Sequence, residues 1–234
     1  MGTVELIIRS ATTFYNELRE DPNGRYRSWE YCYKAFHDAR GNTNADFDYL
    51  SLQLAFYLAS WGMYRGSSFL LQKDYKIHFP IVEEILKPEY DELFGIRCSD
   101  LRKQSAQNCL AALENFMLSY YGEVRDSVKE AAVKHKISTT LITKILMGTF
   151  GCVPAYDRYF IDGIKDQKVS TGIYNINSIL RLVDFYEQNE ERLESTRSEL
   201  KVFDLPYPQM KMLDMGFWQI EFEKDDKKRL RTAH

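Results

Sequence analysis

Hydrophobic residues recur along most of the chain at the three- and four-residue spacing of amphipathic helices. The first such stripe comprises Ile7, Ala11, Phe14 and Leu18. A turn-forming sequence, Asp21–Gly24, ends it, and comparable stripes separated by glycine, proline or capping residues follow. Together they predict about ten helices, including one over residues 124–134 and one that Ser138 caps, from Thr139 to about Met147. Because only residues 202–205 resemble a strand, the pattern predicts an all-α fold.

One predicted helix, over residues 46–61, is apolar on almost every side. Its large side chains include Leu54, Phe56, Leu58 and Trp61. A helix that is hydrophobic all round is normally enclosed by other helices. We therefore expect these four side chains to be buried at the centre of the fold. Truncation of Phe56 to alanine would then cost about 3–5 kcal/mol.

The chain contains few residues that break helices. Only 12 of its 234 residues are glycine and 6 are proline. No segment repeats with a period of about 20–50 residues, so a solenoid is not expected. These features favour one compact multi-helix domain over residues 1–223. The charged segment 224–234 is predicted to be a frayed tail.

Composition excludes several classes of protein. No apolar run reaches the ~18 residues of a membrane span, so no membrane association is expected. The four cysteines form no C-x-x-C pair and the four histidines no H-x-x-x-H, so neither a metal site nor a cofactor is predicted. Unpaired thiols favour the cytoplasm. The formal net charge of −3 predicts that any nucleic-acid binding is weak and salt-sensitive.

Residues 139–160 carry the clearest indication of chemistry. An amphipathic helix runs into a glycine- and proline-containing loop, and Asp157 then begins another helix. This order resembles the helix-hairpin-helix DNA glycosylases over residues 136–160. The resemblance implies an N-glycosidase that acts on DNA or a nucleotide, with Asp157 stabilising an oxocarbenium-like transition state. Asp157 is then expected to face a concavity that Tyr156 or Trp61 also lines.

Two differences from that family bear on the activity. The hairpin of the family carries Gly-x-Gly, whereas Lys136–Thr140 contains no glycine. The lysine of the bifunctional members would fall at Thr139 or Thr140, so the resemblance implies a monofunctional hydrolase. The alternative interpretation is that Asp157 only caps a helix at its N-terminus, a position that aspartate favours.

A second candidate site follows the apolar helix, at residues 61–68. Two glycines interrupt the chain here, and Arg65, Ser67 and Ser68 supply a guanidinium and two hydroxyl groups. Such groups at a new helix start suit a phosphate or carboxylate. The alternative is a helix–helix corner in which Ser67 is a cap and Arg65 pairs with an acid.

Charge is unevenly distributed along the chain. Residues 125–168 contain eight lysines or arginines and five acids, which makes this stretch locally basic. Lys144 and Arg158 lie in it and are candidate phosphate contacts. Ordinary solvated helix faces also produce such imbalances. The sequence therefore leaves two functions open: an N-glycosidase, or a non-catalytic helical protein that binds a partner or a small anion.

Overall fold

A computed structural model describes residues 2–129 and 136–232, with side chains up to Leu230. These residues form ten α-helices, which confirms the predicted all-α class. The helices are α1 Thr3–Glu20, α2 Ser28–Ala39, α3 Phe47–Ser60, α4 Phe79–Ile85, α5 Gln104–Asp126, α6 Thr139–Thr149, α7 Arg158–Asp166, α8 Ile176–Gln188, α9 Glu190–Arg197 and α10 Gln209–Thr232. Short 3₁₀ segments occupy Arg25–Arg27, Phe69–Gln72, Tyr75–His78, Pro88–Leu93 and Cys98–Arg102.

The β-like residues form a small hairpin. Strand β1, Lys201–Val202, pairs antiparallel with strand β2, Leu205–Pro206. Phe203 lies in the tight turn between them with a φ of 54°, which non-glycine residues seldom adopt. Its side chain is more than half exposed. The hairpin therefore holds a large aromatic ring on the surface.

The buried centre of the fold is not the helix that the sequence indicated. Phe56 on α3 is 57% exposed, so the expectation that α3 is enclosed on all sides is wrong, although Leu54 and Leu58 are fully buried. The enclosed helices are α6, which is buried from Leu141 through Thr149, and the part of α10 from Gln209 to Ile220. Because Phe56 already contacts water, its truncation to alanine should cost far less than a core substitution.

Helix α10 occupies the centre because other helices cover it on two sides. It packs against α1 and α7 more extensively than any other helices of the described chain pack together. Gly216 faces Ile7 of α1, and Gly163 of α7 faces the backbone of Phe217. A Cβ atom at Gly163 would collide with the Phe217 carbonyl oxygen, so glycine permits the close crossing of α7 and α10.

A Gly163→Ala variant is expected to lower the free energy of unfolding by about 1–3 kcal/mol, because the two backbones must separate. Gly122 in α5 offers a matched control, since a Cβ there would meet nothing within 4 Å. Gly122→Ala should instead raise stability by about 0.5–1 kcal/mol through helix propensity. Urea denaturation measures both. Equal effects of the two variants would contradict a tight α7–α10 crossing.

Two predicted segments end differently in the structure. The helix expected over residues 124–134 is, up to Asp126, the end of α5, and residues 130–135 lie outside the described ranges. The tail from residue 224 is not frayed where it is described, because α10 continues through Thr232. Lys224 anchors it by bonding Asp166 of α7 at 2.9 Å. No described helix has the length and apolarity needed to cross a bilayer.

Candidate functional site

Asp157 lies where the loop after α6 enters α7. Its backbone is extended, and its Oδ1 accepts a hydrogen bond of 3.2 Å from the Phe160 amide, so it is the N-cap of α7. The loop before it is attached to α6 by two bonds. Thr140 Oγ1 donates to the Tyr156 carbonyl, and the Tyr156 amide donates to Thr143 Oγ1, both at 2.9 Å. The position of Asp157 is therefore fixed relative to α6.

The second oxygen of the Asp157 carboxylate faces a lysine of α6. Asp157 Oδ2 lies 3.2 Å from Lys144 Nζ, and Lys144 also donates a bond of 2.7 Å to the Trp61 carbonyl. The side chains are only 5% exposed for Lys144 and 14% for Asp157. A largely desolvated pair of this kind holds its geometry more firmly than a surface salt bridge does.

Asp157 borders a pocket of about 670 Å³ between the end of α3, the start of α7 and the second half of α10. Five aromatic residues line it: Tyr26, Trp61, Tyr159, Trp218 and Phe222. Trp218 and Phe222 stack in parallel at 4.7 Å between ring centroids, and Tyr26 lies 4.8 Å from Trp61. Flat rings of this kind suit a planar ligand, because stacking needs only a π-face.

The same pocket is rich in positive charge. Its lining includes Arg25, Arg65, Arg158 and Arg229 together with Lys144, against the single carboxylate of Asp157. Arg158 pairs with Asp225 of α10 at 2.8 Å, and Arg25 lies over the Tyr26 ring at 4.6 Å. The pocket therefore favours a ligand that carries negative charge as well as a flat ring.

A smaller cavity of about 170 Å³ adjoins the pocket, and Gly62, Met63 and Arg65 line both. The remaining lining residues are Ser67, Ser68, Phe69, Lys136, Ser138 and Leu141. Gly62 has a φ of 78°, and the Arg65 guanidinium folds back against its Cα hydrogens, a contact that a larger residue would obstruct. Among the described residues, the Arg65 side chain has no hydrogen bond or ion pair. The predicted Arg65–Ser67–Ser68 group thus lies next to the Asp157 pocket.

Tyr156 does not take the place expected for it. Its side chain is 1% exposed and does not line the pocket, whereas Trp61 does. Its hydroxyl bonds Ser178 at 2.8 Å, and burial raises the pKa of Tyr156 to about 12. Alternation along an extended loop explains this, because neighbouring residues point to opposite sides and Asp157 takes the outward position.

A second lysine–aspartate pair lies beneath the pocket and was not predicted. Lys211 Nζ is 2.9 Å from Asp214 Oδ2, with side chains 2% and 4% exposed. Asp214 Oδ1 accepts a 2.9 Å bond from the Ala155 amide, so the pair supports the loop that carries Asp157. Burial raises the pKa of the Asp214 carboxyl, against the opposing effect of Lys211. The sequence feature that could have indicated a buried pair is that Lys211 and Asp214 both lie within the apolar run 210–220.

Both ammonium groups contact the same indole. The Trp61 ring centroid lies 5.6 Å from Lys144 Nζ and 5.1 Å from Lys211 Nζ. Trp61 thereby joins the pocket to the buried pair through cation–π contacts. Within the described ranges, no three histidine, cysteine, aspartate or glutamate side chains are grouped so as to hold a metal ion.

No protein-family model, curated protein or solved structure matches this chain. Its function is therefore argued from the geometry of the pocket.

Proposed function

We propose that this protein is a monofunctional N-glycosidase that acts on a nucleotide or on DNA. One observation carries the proposal: a largely buried carboxylate, Asp157, borders a pocket that combines aromatic rings with an excess of positive charge. A base needs the rings and a phosphate needs the cations. The four cysteines are unpaired, which suits the cytoplasm that we assign to this activity.

In the proposed reaction, the substrate base stacks on the aromatic wall and the sugar lies over Asp157. The bond between C1′ and the base nitrogen breaks, and the base leaves with that electron pair and acquires a proton. The Asp157 carboxylate stabilises the positive charge that develops on the sugar. A water molecule then adds to C1′ and releases a proton, which leaves a hydroxyl group in place of the base.

The polar and charged residues around the pocket are assigned two roles. Arg65, Ser67 and Ser68 line the smaller cavity and are assigned to phosphate, together with Arg158, a mostly exposed residue of the larger pocket. Lys144 suits phosphate less well than the sequence suggested. It is nearly buried and already committed to Asp157 and the Trp61 carbonyl, so we assign it to holding the carboxylate.

A non-catalytic binding protein is the second candidate. It is favoured by the full engagement of Asp157, whose two oxygens serve the α7 cap and the Lys144 pair. In that case the aspartate is structural, and the pocket only binds an anionic, ring-containing ligand. The two candidates share the ligand chemistry and differ in whether the glycosidic bond breaks.

The test is a screen for release of free base, separated by liquid chromatography. Substrates are nucleosides, their 5′-monophosphates, and single- and double-stranded oligonucleotides with normal and damaged bases, at about 50 and 200 mM salt. Release from at least one phosphate-bearing substrate is expected. Binding without release would support the second candidate, and neither binding nor release would overturn both.

Arg65→Ala separates the phosphate contact from the rest of the pocket. It should weaken binding of a phosphate-bearing ligand by about tenfold and reduce the log–log salt slope by nearly one, with no effect on a nucleoside. Arg97→Ala is the matched control, because Arg97 is an exposed arginine that lines neither cavity of the site. Equal losses in both variants would contradict the assignment of Arg65.

A further inference from the structure

A groove of about 440 Å³ lies on another face of the molecule, between α2 and α3. It shares no lining residue with the Asp157 pocket or its smaller neighbour. Its walls are aromatic: Tyr31 from α2, Tyr49 and Phe56 from α3, and Phe203 from the hairpin turn. The proposed glycosidase activity makes no use of this surface.

The groove concentrates exposed hydrophobic side chains. Ten large hydrophobic residues of the described chain are exposed, and four of them line this one groove. Their exposed fractions are 39% for Tyr31, 49% for Tyr49, 57% for Phe56 and 55% for Phe203. Single exposed hydrophobic residues are ordinary, but a contiguous group marks an interaction surface.

The shape of the groove follows from two helices that lie side by side. On α2 the lining positions are 31, 34, 35, 38 and 39, and on α3 they are 49, 50, 53 and 56. Each set repeats every three or four residues, so each is one stripe along a helix. Alanines at 35, 39 and 45 leave room for close approach. A third helix packs into such a groove by ridges-into-grooves contacts.

Charge at the rim selects among possible occupants. Asp38 and Asp46 line the groove with a single lysine, Lys34, whose amine already bonds both oxygens of Asp38 at 2.7 and 2.6 Å. Asp204 of the hairpin also acts electrostatically on Lys34. A second copy docked face to face would set acidic rim against acidic rim, which is unfavourable. A basic partner complements this rim.

We propose that this groove binds an amphipathic helix of another protein. The apolar face of that helix lies on Tyr49, Phe56 and Phe203, and its flanking lysines or arginines face Asp38 and Asp46. The burial of the aromatic side chains provides the affinity, and the carboxylates fix the orientation. This proposal is independent of the reaction at Asp157.

The probe is a labelled synthetic helix of about 16 residues, long enough to span about 24 Å. It carries leucines at i, i+3, i+4 and i+7 with lysines on both flanks, and fluorescence anisotropy measures its binding to the full chain. One control peptide has the same residues in scrambled order, and another replaces the lysines with glutamate. We expect the ordered basic peptide alone to bind, with an affinity that salt weakens.

Variants locate the binding site. Phe56→Ser should weaken peptide binding at least about tenfold without unfolding the chain, since Phe56 is mostly exposed. Asp38→Asn combined with Asp46→Asn should remove most of the salt dependence, and asparagine at 46 retains the α3 cap. Leu118→Ser on α5 is the control, because Leu118 is 44% exposed and lies outside the groove.

Three results of the peptide experiments would overturn the proposal. They are the absence of binding by the ordered peptide, equal binding of the scrambled or acidic peptide, and binding that Phe56→Ser leaves unchanged. Sedimentation of the chain without peptide tests whether a second copy of the chain occupies the groove. A dimer that Phe56→Ser dissociates would assign the groove to a second copy and would likewise overturn the proposal.

Discussion

Replacement of Asp157 with asparagine is expected to reduce base release by about 10²- to 10³-fold in a variant that still folds but unfolds at a lower temperature. Asparagine keeps the shape of the side chain, and its oxygen can still accept the 3.2 Å bond from the Phe160 amide. The negative charge beside the sugar is lost, and removal of one preorganised electrostatic contact typically costs a rate factor of this size. The nearly buried Lys144 ammonium also loses its charged partner, which lowers stability. Activity is therefore compared at a temperature at which the variant is folded.

Single-turnover base release and thermal unfolding by circular dichroism are the two measurements. Asp162→Asn is the matched control, because Asp162 is exposed on the same helix and lies outside the pocket. It should leave both quantities unchanged. An Asp157→Asn variant with full activity would refute a catalytic role. Loss of activity only at temperatures at which the variant unfolds would assign Asp157 to a structural role.

Replacement of Asp214 with alanine should lower the free energy of unfolding by about 3–5 kcal/mol. The substitution leaves the Lys211 ammonium buried without its carboxylate and the Ala155 amide without its acceptor. Desolvated groups of this kind are costly when their partners are removed. The loop that carries Asp157 also loses the bond that supports it from below.

A double variant separates the free-energy cost of the unpaired buried charge from the cost of the lost hydrogen bond. Lys211→Met with Asp214→Asn removes both charges and keeps an oxygen for the Ala155 amide, so most of the loss should be recovered. Asp38→Ala breaks a partly exposed lysine–aspartate pair on the surface and should cost about 0–1 kcal/mol. Urea denaturation compares all three. An Asp214→Ala cost no larger than that of Asp38→Ala would contradict this account.

Local sequence signals correctly placed several helix boundaries. Ser138 and Asp157 were predicted to begin helices, and each side chain accepts a bond from a backbone amide of the first turn. Caps are predictable because they depend on residues three or four positions apart. The location of the core depends on what packs against each helix. Helix α3 is apolar on most sides yet exposed at Phe56, whereas the enclosed part of α10, from Gln209 to Ile220, contains Lys211 and Asp214.

The candidate site, like the core, could be predicted from local sequence signals only in part. Lys144, Asp157 and Arg158 come from the stretch that the sequence singled out, and Arg65 comes from the second candidate segment. The fold brings these two segments together, which neither pattern alone could show. Other walls come from Arg25 and Tyr26 and from Trp218 and Phe222, at opposite ends of the chain. Those residues carry no local motif, so only the packing of α1, α7 and α10 assigns them to the pocket.

The arrangement of tryptophans gives the pocket an intrinsic optical reporter. The chain has three tryptophans, and two of them, Trp61 and Trp218, line the pocket with ring centroids 5.9 Å apart. Trp29 is 1% exposed and bonds the Met147 carbonyl at 3.0 Å, so it contributes a nearly constant background. A base stacked against Trp61 would change the emission of Trp61 and of the adjacent Trp218. Titration of unlabelled protein can therefore follow occupancy of the site without a chromophore on the ligand.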